Sequence, residues 1–296
     1  MSELLLRRRN LLIRKQEEEL NIRAVCFKAD GEQTVAITKV GSAPAITMQY
    51  SYDGVNWDAW DVTPLPFGGS TKVYVRGVNN EKFGTNGTNN TFTFSTDAYV
   101  YVSGIAEALL NGENEVLQYS TLYTFKMLFK GQTALREADR LRFEVMTNSE
   151  SCYQAMFNGC SNLLSAPELP ATTLAYSAYR SMFSQCISLI KAPSILPATK
   201  LSGWDYAYMF YNCASLVNAP ELPAETLADG CYYQMFSGCT SLKTIRCRAK
   251  VTASNATYNW LGGVKTAGTF YGYSEYGYPS GASGIPTTWT FEELTD

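Results

Sequence analysis

The chain has 296 residues, the length of about two ordinary domains, and 46% of them are hydrophobic, as in a typical globular protein. Its 24 basic and 27 acidic residues leave a net charge of -3, which favours no nucleic-acid partner. It contains no histidine, so histidine-activated nucleophiles, the commonest zinc ligand and the usual general base are excluded, and we expect neither an enzyme nor a bound cofactor.

The first 20 residues contain leucines at heptad spacing and a basic cluster followed by glutamates. This pattern predicts a helix, and residues 1–22 are assigned as a docking helix because so short a helix needs a partner to bury its apolar stripe. A solvated, partly disordered arm is the alternative. The predicted docking residues are Leu4, Leu5, Arg7, Arg8, Arg9, Leu11 and Leu12.

No apolar run approaches the length needed to cross a bilayer, and the amino terminus lacks the apolar core and cleavage site of a secretory signal. We therefore expect no membrane span and no export signal.

From residue 23 the apolar residues alternate with a period of two. The runs AVCFKA, QTVAITK, AITMQYS, KVYVRG, TFTFST and YVYVSG are separated by clusters of Gly, Asn, Asp and Pro. These short strands predict a small Ig-like β-sandwich over residues 23–104. The pair Asp53-Gly54 predicts a hairpin with a type I′ turn, and Trp57 and Trp60 are interpreted first as core or sheet residues.

A phrase of the form Met-Phe-x-x-Cys-x-x-Leu recurs four times at intervals of 26, 27 and 26 residues. A repeat of this length is typical of leucine-rich repeats, whose units bury their apolar faces by stacking. The predicted repeat core consists of Met156, Cys160, Leu163, Met182, Cys186, Leu189, Met209, Cys213, Leu216, Met235, Cys239 and Leu242.

The repeats predict a short leucine-rich repeat solenoid over residues 105–248, with a short helix at each Met-Phe pair and a short strand after each Leu. Residues 105–147 form a degenerate capping repeat in which Gln132 replaces the cysteine, and residues 249–296 form a C-terminal β cap. The predicted class is therefore multidomain α+β, with an N-terminal helix, a β-sandwich, a solenoid and a cap.

The recurring cysteines allow three interpretations. A metal site needs ligands that converge on one point, whereas thiols one repeat apart form a line. Disulfides need an oxidising compartment, which the missing export signal does not favour. Buried free thiols that act as small apolar residues are the preferred interpretation, and no metal is expected.

Two further features could suggest carbohydrate chemistry. Glu168 and Glu221 occupy equivalent repeat positions, but Ser194 lies at that position in the intervening unit, so no acid pair recurs and solvated surface groups are expected. The tyrosines of 271–278 could form a sugar platform, although packing within the cap is the preferred interpretation.

The repeat C-Y-x-x-M-F-x-x-C-x-S-L-x-x-A-P-x-L-P-A over residues 148–248 resembles the BspA-like leucine-rich repeats of gut Bacteroides and their phages. The tail TASNATYNWLGGVKTAGTFY resembles that family's C-terminal cap, and MQYSYDGVNWDAWD resembles its small β-domain. Family members include surface binding proteins and virion proteins, without catalytic residues that carry over.

The basic, leucine-rich start resembles the phage-encoded form, such as those of crAss-like phages. The resemblance implies a non-enzymatic virion protein, attached to the head or tail, that presents its repeats to a host glycan or protein. Its implied partners are other virion proteins, bound through residues 1–22, and further copies of the chain. A bacterial cell-surface adhesin is the alternative, and a carbohydrate-active enzyme is the third hypothesis.

Overall fold

The structure, a computed structural model, describes residues 22–67, 71–95, 98–112, 122–143, 149–251 and 255–295. Within these ranges the regular structure consists of β-strands and three short 3-10 helices, and there is no α-helix. The 3-10 helices are Ala106–Leu109, Asn255–Thr257 and Ser274–Tyr276.

The predicted α+β class is therefore wrong, because the described part of the chain is nearly all β. The predicted docking helix lies outside the described residues except for Ile22, and so do Leu4, Leu5, Arg7, Arg8, Arg9, Leu11 and Leu12.

Each of the six alternating runs near the amino terminus contains a strand. The strands are β1 (Val25–Ala29), β2 (Thr34–Val40), β3 (Met48–Ser51), β4 (Asp58–Trp60), β5 (Leu65–Pro66), β6 (Lys72–Gly77), β7 (Asn89–Phe94), β8 (Val100–Ile105) and β9 (Leu135–Arg142). They form a six-stranded sheet of order β4-β3-β6-β1-β8-β9 and a three-stranded sheet of order β5-β2-β7.

Apolar side chains from both sheets pack together because alternate residues of a strand point to the same face. Phe27 of β1 and Phe92 of β7 are both 0% exposed, and their ring centroids lie 5.1 Å apart. The predicted hairpin is confirmed by the antiparallel pair β3–β4. Its type I′ turn is wrong, since Gly54 has a positive φ of 77° and Asp53 does not.

The predicted leucine-rich repeat solenoid, with a helix in each unit, is also wrong. The Met-Phe segments are runs of tight turns that lie side by side, and we call them the turn segments and their assembly the turn stack. An α-helix is excluded in these segments because residues of positive φ recur every four positions, as in Ser151, Ala155 and Gly159 at 56°, 55° and 77°. The turn segments are residues 123–131, 151–159, 177–185, 204–212, 230–238 and 255–263.

Backbone hydrogen bonds run both within and between turn segments. Inside a segment, alternate N–H groups donate to the carbonyl three residues earlier, as Met182 does to Tyr179 at 3.1 Å. The N–H groups between them donate to the following segment, as Phe183 does to Met209 at 2.9 Å. Buried backbone groups are thus paired without a helix or a regular sheet, which meets the cost of removing them from water.

Burial in a turn segment follows a period of four. The side chains that point into the stack are almost fully buried, as in Tyr153, Met156 and Phe157. The half-buried side chains are four residues apart, as in Gln154 and Asn158. Inward phenylalanines of successive segments stack: the centroid of Phe183 lies 5.5 Å from Phe157 and 5.6 Å from Phe210. Each segment therefore covers the apolar rings of its neighbours.

A second layer of the repeats consists of parallel strands and bridges. Parallel bridges join Glu137 to Ser165 and Ser165 to Lys191, whereas the segments after Leu216 and Leu242 become full strands. The final sheet is parallel and has the order β10-β11-β12-β13. Its strands are β10 (Asn218–Leu222), β11 (Thr244–Cys247), β12 (Thr269–Gly272) and β13 (Thr290–Glu293).

Both predicted boundaries around the repeats fall inside sheets. The boundary at 104/105 cuts β8, which pairs in parallel with β9, and the boundary at 248/249 separates β11 from its neighbour β12. One hydrophobic core extends from Val25 to Trp289. The sheets and the turn stack are therefore continuous in packing.

The first turn segment is covered by β-sheet residues. Phe83 donates its N–H to the Thr124 carbonyl at 2.7 Å, and Phe92 donates to the Leu128 carbonyl at 2.8 Å. Gln132 is half-buried and accepts a hydrogen bond from the Phe94 N–H of β7 at 3.2 Å. These bonds satisfy carbonyls that no earlier segment could reach.

Candidate binding surface

The predicted repeat-core residues line three buried columns. Each of the twelve side chains is 0% exposed, so none of them is available to a ligand at the surface. The columns are Met156, Met182, Met209 and Met235; Cys160, Cys186, Cys213 and Cys239; and Leu163, Leu189, Leu216 and Leu242.

The cysteines of the column are free thiols, and each donates to a phenylalanine carbonyl of the preceding turn segment. The sulfur of Cys160 lies 3.0 Å from the Phe129 oxygen, and that of Cys239 lies 3.0 Å from the Phe210 oxygen. Burial raises the pKa of both thiols to about 12. A protonated, enclosed thiol is a weak nucleophile and metal ligand, so this column acts in packing.

Asp205 is an acid that sequence reasoning missed. Its carboxylate is 0% exposed, and Oδ2 accepts hydrogen bonds from the N–H groups of Ser202 at 2.6 Å and Gly203 at 3.1 Å. Burial raises its pKa to about 6, although these hydrogen bonds oppose the shift. Because the group is enclosed, it stabilises a turn and does not face a substrate.

Two charged side chains of the strand layer have partners in another unit. Lys191 Nζ lies 3.0 Å from Asp139 Oδ2. Glu168 accepts hydrogen bonds from the N–H and hydroxyl of Ser194, each at 2.9 Å to Oε2. Glu168 is exposed, as expected of a solvated surface group, but its carboxylate also links two successive units.

The opposite face, formed by the outward residues of the turn stack, carries exposed aromatic side chains. Tyr176 is 46% exposed and Tyr258 is 50% exposed, and the other rings between them are half-buried. We call this set the aromatic patch. It consists of Tyr176, Trp204, Tyr208, Tyr211, Tyr233 and Tyr258.

Rings of the aromatic patch stack across successive turn segments. The centroid of Tyr233 lies 5.1 Å from Trp204, 5.3 Å from Tyr208 and 4.9 Å from Tyr258. Gly230 is required beside Trp204, because a Cβ at this position would lie 2.5 Å from the indole ring. These contacts hold the rings in fixed positions on the surface.

Arg180 extends the aromatic patch with a positive charge. Its guanidinium lies 5.1 Å from the Trp204 centroid and 5.7 Å from the Tyr208 centroid. Within the described ranges no carboxylate lies within ion-pair distance of this arginine. The cation is therefore held by rings and keeps its hydrogen-bonding capacity.

The tyrosines of 271–278 behave differently from the aromatic patch. Tyr278 packs at 5.0 Å from Phe270 and 5.7 Å from Phe291, in agreement with the preferred packing interpretation. Sequence reasoning missed the aromatic patch because it looked for a tyrosine-rich run. The sequence signal that could have found the patch was the four-residue spacing of the non-core positions in each turn segment, because residues at these positions point outwards.

The sequence matches no protein-family model, no curated protein and no solved structure. No helix in the described part of the chain is long and apolar enough to span a membrane.

Proposed function

We propose that the chain is a non-enzymatic binding protein, carried on a bacteriophage particle, whose aromatic patch binds a glycan. The observation that carries the proposal is the set of fixed, partly exposed rings on successive turn segments. Aromatic faces carry partial negative charge, and the C–H groups of a sugar ring carry partial positive charge. Stacked sugar rings can therefore pack on this surface.

Binding is favoured over catalysis by what the polar groups of the described residues already do. The column thiols donate to backbone carbonyls, Asp205 is enclosed, and Glu168 accepts from Ser194. A catalytic nucleophile or acid–base pair has to reach the substrate. These groups instead stabilise the stack.

The virion assignment is supported by the resemblance of the repeats to BspA-like proteins and of the amino terminus to phage-encoded forms. Residues 1–22 attach the chain to other virion proteins or to further copies of itself. Deleting residues 1–20 should leave a folded remainder and abolish incorporation into particles, measured by the protein content of purified phage. Incorporation at the wild-type level would show that another part attaches the chain, and recovery of the intact protein only from bacterial membranes would favour the adhesin.

Glycan binding is tested with the purified chain and a panel of surface-immobilised oligosaccharides. Tyr258→Ala should weaken binding about three- to tenfold, the value of one aromatic contact. The matched control is Tyr99→Ala, since Tyr99 is 42% exposed but lies outside the aromatic patch, next to Arg136. Absence of binding to every oligosaccharide, or an equal loss in both variants, would contradict the proposal.

A further inference from the structure

A cluster of cations lies beside the aromatic patch on the same face. Four side chains point to the same side of the stack because they occupy equivalent positions in their turn segments. They are Lys126, Gln154, Arg180 and Tyr233. Burial lowers the pKa of Lys126, and the positive charges of Lys130 and Arg180 lower it further. Lys130 and Arg180 are therefore each close enough to Lys126 to repel its charge.

Among the described residues, no carboxylate forms an ion pair with a cation of this cluster. Lys126 Nζ donates to the Asn86 carbonyl at 2.7 Å and lies 4.9 Å from the Tyr123 ring centroid, whereas Lys130 is exposed. In the ranges that the structure describes, neither Lys130 nor Arg180 has a carboxylate within ion-pair distance. On the strand layer, by contrast, Lys191 pairs with Asp139.

The carboxylates of the turn face do not compensate for the cluster. Asp229 accepts a hydrogen bond from Asn255 Nδ2 at 2.5 Å, and Glu150 pairs with none of the described cations. Among the described residues, Lys130 and Arg180 therefore lie beside the rings without an ion-pair partner, although the whole chain is slightly acidic.

Side-chain amides supply uncommitted hydrogen-bonding groups around the rings. Three glutamines face outwards from three turn segments: Gln154 and Gln234 are half-buried and Gln185 is exposed. Among the described residues, none of these amides makes a side-chain hydrogen bond. An amide offers both a donor and an acceptor, which suits the hydroxyl groups of a sugar.

From the rings, the amides and the uncompensated arginine together, we infer that the aromatic patch binds an acidic saccharide whose carboxylate pairs with Arg180. This inference rests on the proposed function and adds the charge of the ligand. A guanidinium presents two parallel N–H donors to a carboxylate, and the Trp204 and Tyr208 rings beneath Arg180 hold it in place for that contact.

The choice of a saccharide over an acidic peptide follows from the composition of the face. Its exposed apolar groups are mainly tyrosine and tryptophan rings, flanked by amides. Peptide anchors bind in apolar pockets, whereas a saccharide uses flat rings and hydroxyl contacts. An acidic peptide is treated as a competing outcome of the test.

The test compares oligosaccharides that carry glucuronate, galacturonate or sialate with their carboxyl-reduced counterparts, using the full chain in low salt. We expect at least one acidic form to bind about tenfold or more tightly than its neutral counterpart, as for hydrogen bonds to charged groups. Arg180→Gln should remove this preference, and Arg180→Lys should restore part of it. Arg136→Gln is the control, because Arg136 also lies over a tyrosine ring, 4.7 Å from the centroid of Tyr99, but outside the patch.

The outcomes separate the two proposals. Equal binding of acidic and neutral forms would overturn the acidic inference and leave glycan binding in place. Binding of neither form would overturn the proposed function as well. Equal, Arg180-dependent binding of polyglutamate would assign the surface to an acidic peptide and reject the saccharide.

Discussion

The thiol of Cys186 lies 3.1 Å from the carbonyl oxygen of Phe157, to which it donates across the boundary between two turn segments. The same carbonyl accepts the N–H of Cys160, the residue that directly follows its own turn segment, at 3.1 Å. One oxygen therefore accepts both a backbone hydrogen bond from its own repeat and a side-chain hydrogen bond from the next repeat. The cysteine column is a set of lateral ties as well as apolar packing.

The column thiols should be protected from reagents in the folded protein. Cys160, Cys186, Cys213 and Cys239 are each 0% exposed, so a maleimide should label them only after denaturation. The measurement is the mass of the native and the denatured protein after a short exposure to reagent. Labelling of all four at the same rate in both states would place the column at the surface.

The buried thiols should make the protein less stable at alkaline pH. A thiol has a pKa near 8.5 when unfolded, and burial raises the pKa of Cys160 and Cys239 to about 12 in the fold. As the pH rises, these thiols ionise in the unfolded state before they ionise in the folded state, which favours unfolding. Their contribution to stability is therefore complete below the unfolded pKa and is lost as the pH rises towards the folded pKa. The loss should be about 1 kcal/mol per thiol between about pH 8 and about pH 9.5.

Urea unfolding at these two pH values measures the effect below the usual tyrosine pKa of about 10. Cys160→Ala serves as the control, because it removes one thiol. The loss of stability between the two pH values should therefore be smaller by about 1 kcal/mol in this variant. An unchanged pH dependence in this variant would show that other groups cause the alkaline loss.

Asp205→Asn should stabilise the protein at neutral pH and not in acid. Burial raises the folded pKa of this carboxyl to about 6, above its value of 3.8 in the unfolded chain. The stability contributed by the protonated acid is present below the unfolded pKa and is lost as the pH rises through the folded pKa. Asparagine stays neutral and keeps an oxygen for the Ser202 and Gly203 N–H groups, so we expect a gain of about 1 to 3 kcal/mol at pH 7.

The measurement is the urea midpoint of both proteins at about pH 4 and about pH 7. The difference between variant and wild type should appear only at the higher pH. A variant that is less stable at both values would mean that the second carboxylate oxygen has a partner that the amide cannot replace.

Gly159→Ala should destabilise the protein through the backbone alone. Gly159 has a φ of 77°, and an added Cβ would lie at an ordinary 3.6 Å from Gly131, so the site has room. The left-handed conformation costs a residue such as Ala about 1 to 2 kcal/mol. Asn tolerates this conformation better, and Asn212 occupies the equivalent position in a later segment with a φ of 58°.

Thermal unfolding of Gly159→Ala and Gly159→Asn tests this assignment. The alanine variant should melt at a lower temperature than the asparagine variant, although its side chain is smaller. The reverse order would mean that steric contacts at this position outweigh the backbone conformation.

The strands near the amino terminus were predictable because their signal is local. Alternation in AVCFKA and KVYVRG places every second side chain in the core, and β1 and β6 follow these runs closely. The hairpin at Asp53-Gly54 was also found, but its turn type was not. Asp53 accepts hydrogen bonds from Val55, Asn56 and Ser51, which fold a longer loop than the dipeptide implies.

The sequence by itself determined which residues recur and which of them are apolar, and Met209, Cys213 and Leu216 lie in the core at the same positions as their equivalents. Only the tertiary structure decided the conformation between them. The hydrogen bonds of a turn segment reach residues in the next segment, as from Ala155 to Arg180, and no local pattern reports such partners. The same stacking brings Trp204, Tyr233 and Tyr258 into contact, because rings far apart along the chain become neighbours only when successive segments lie side by side.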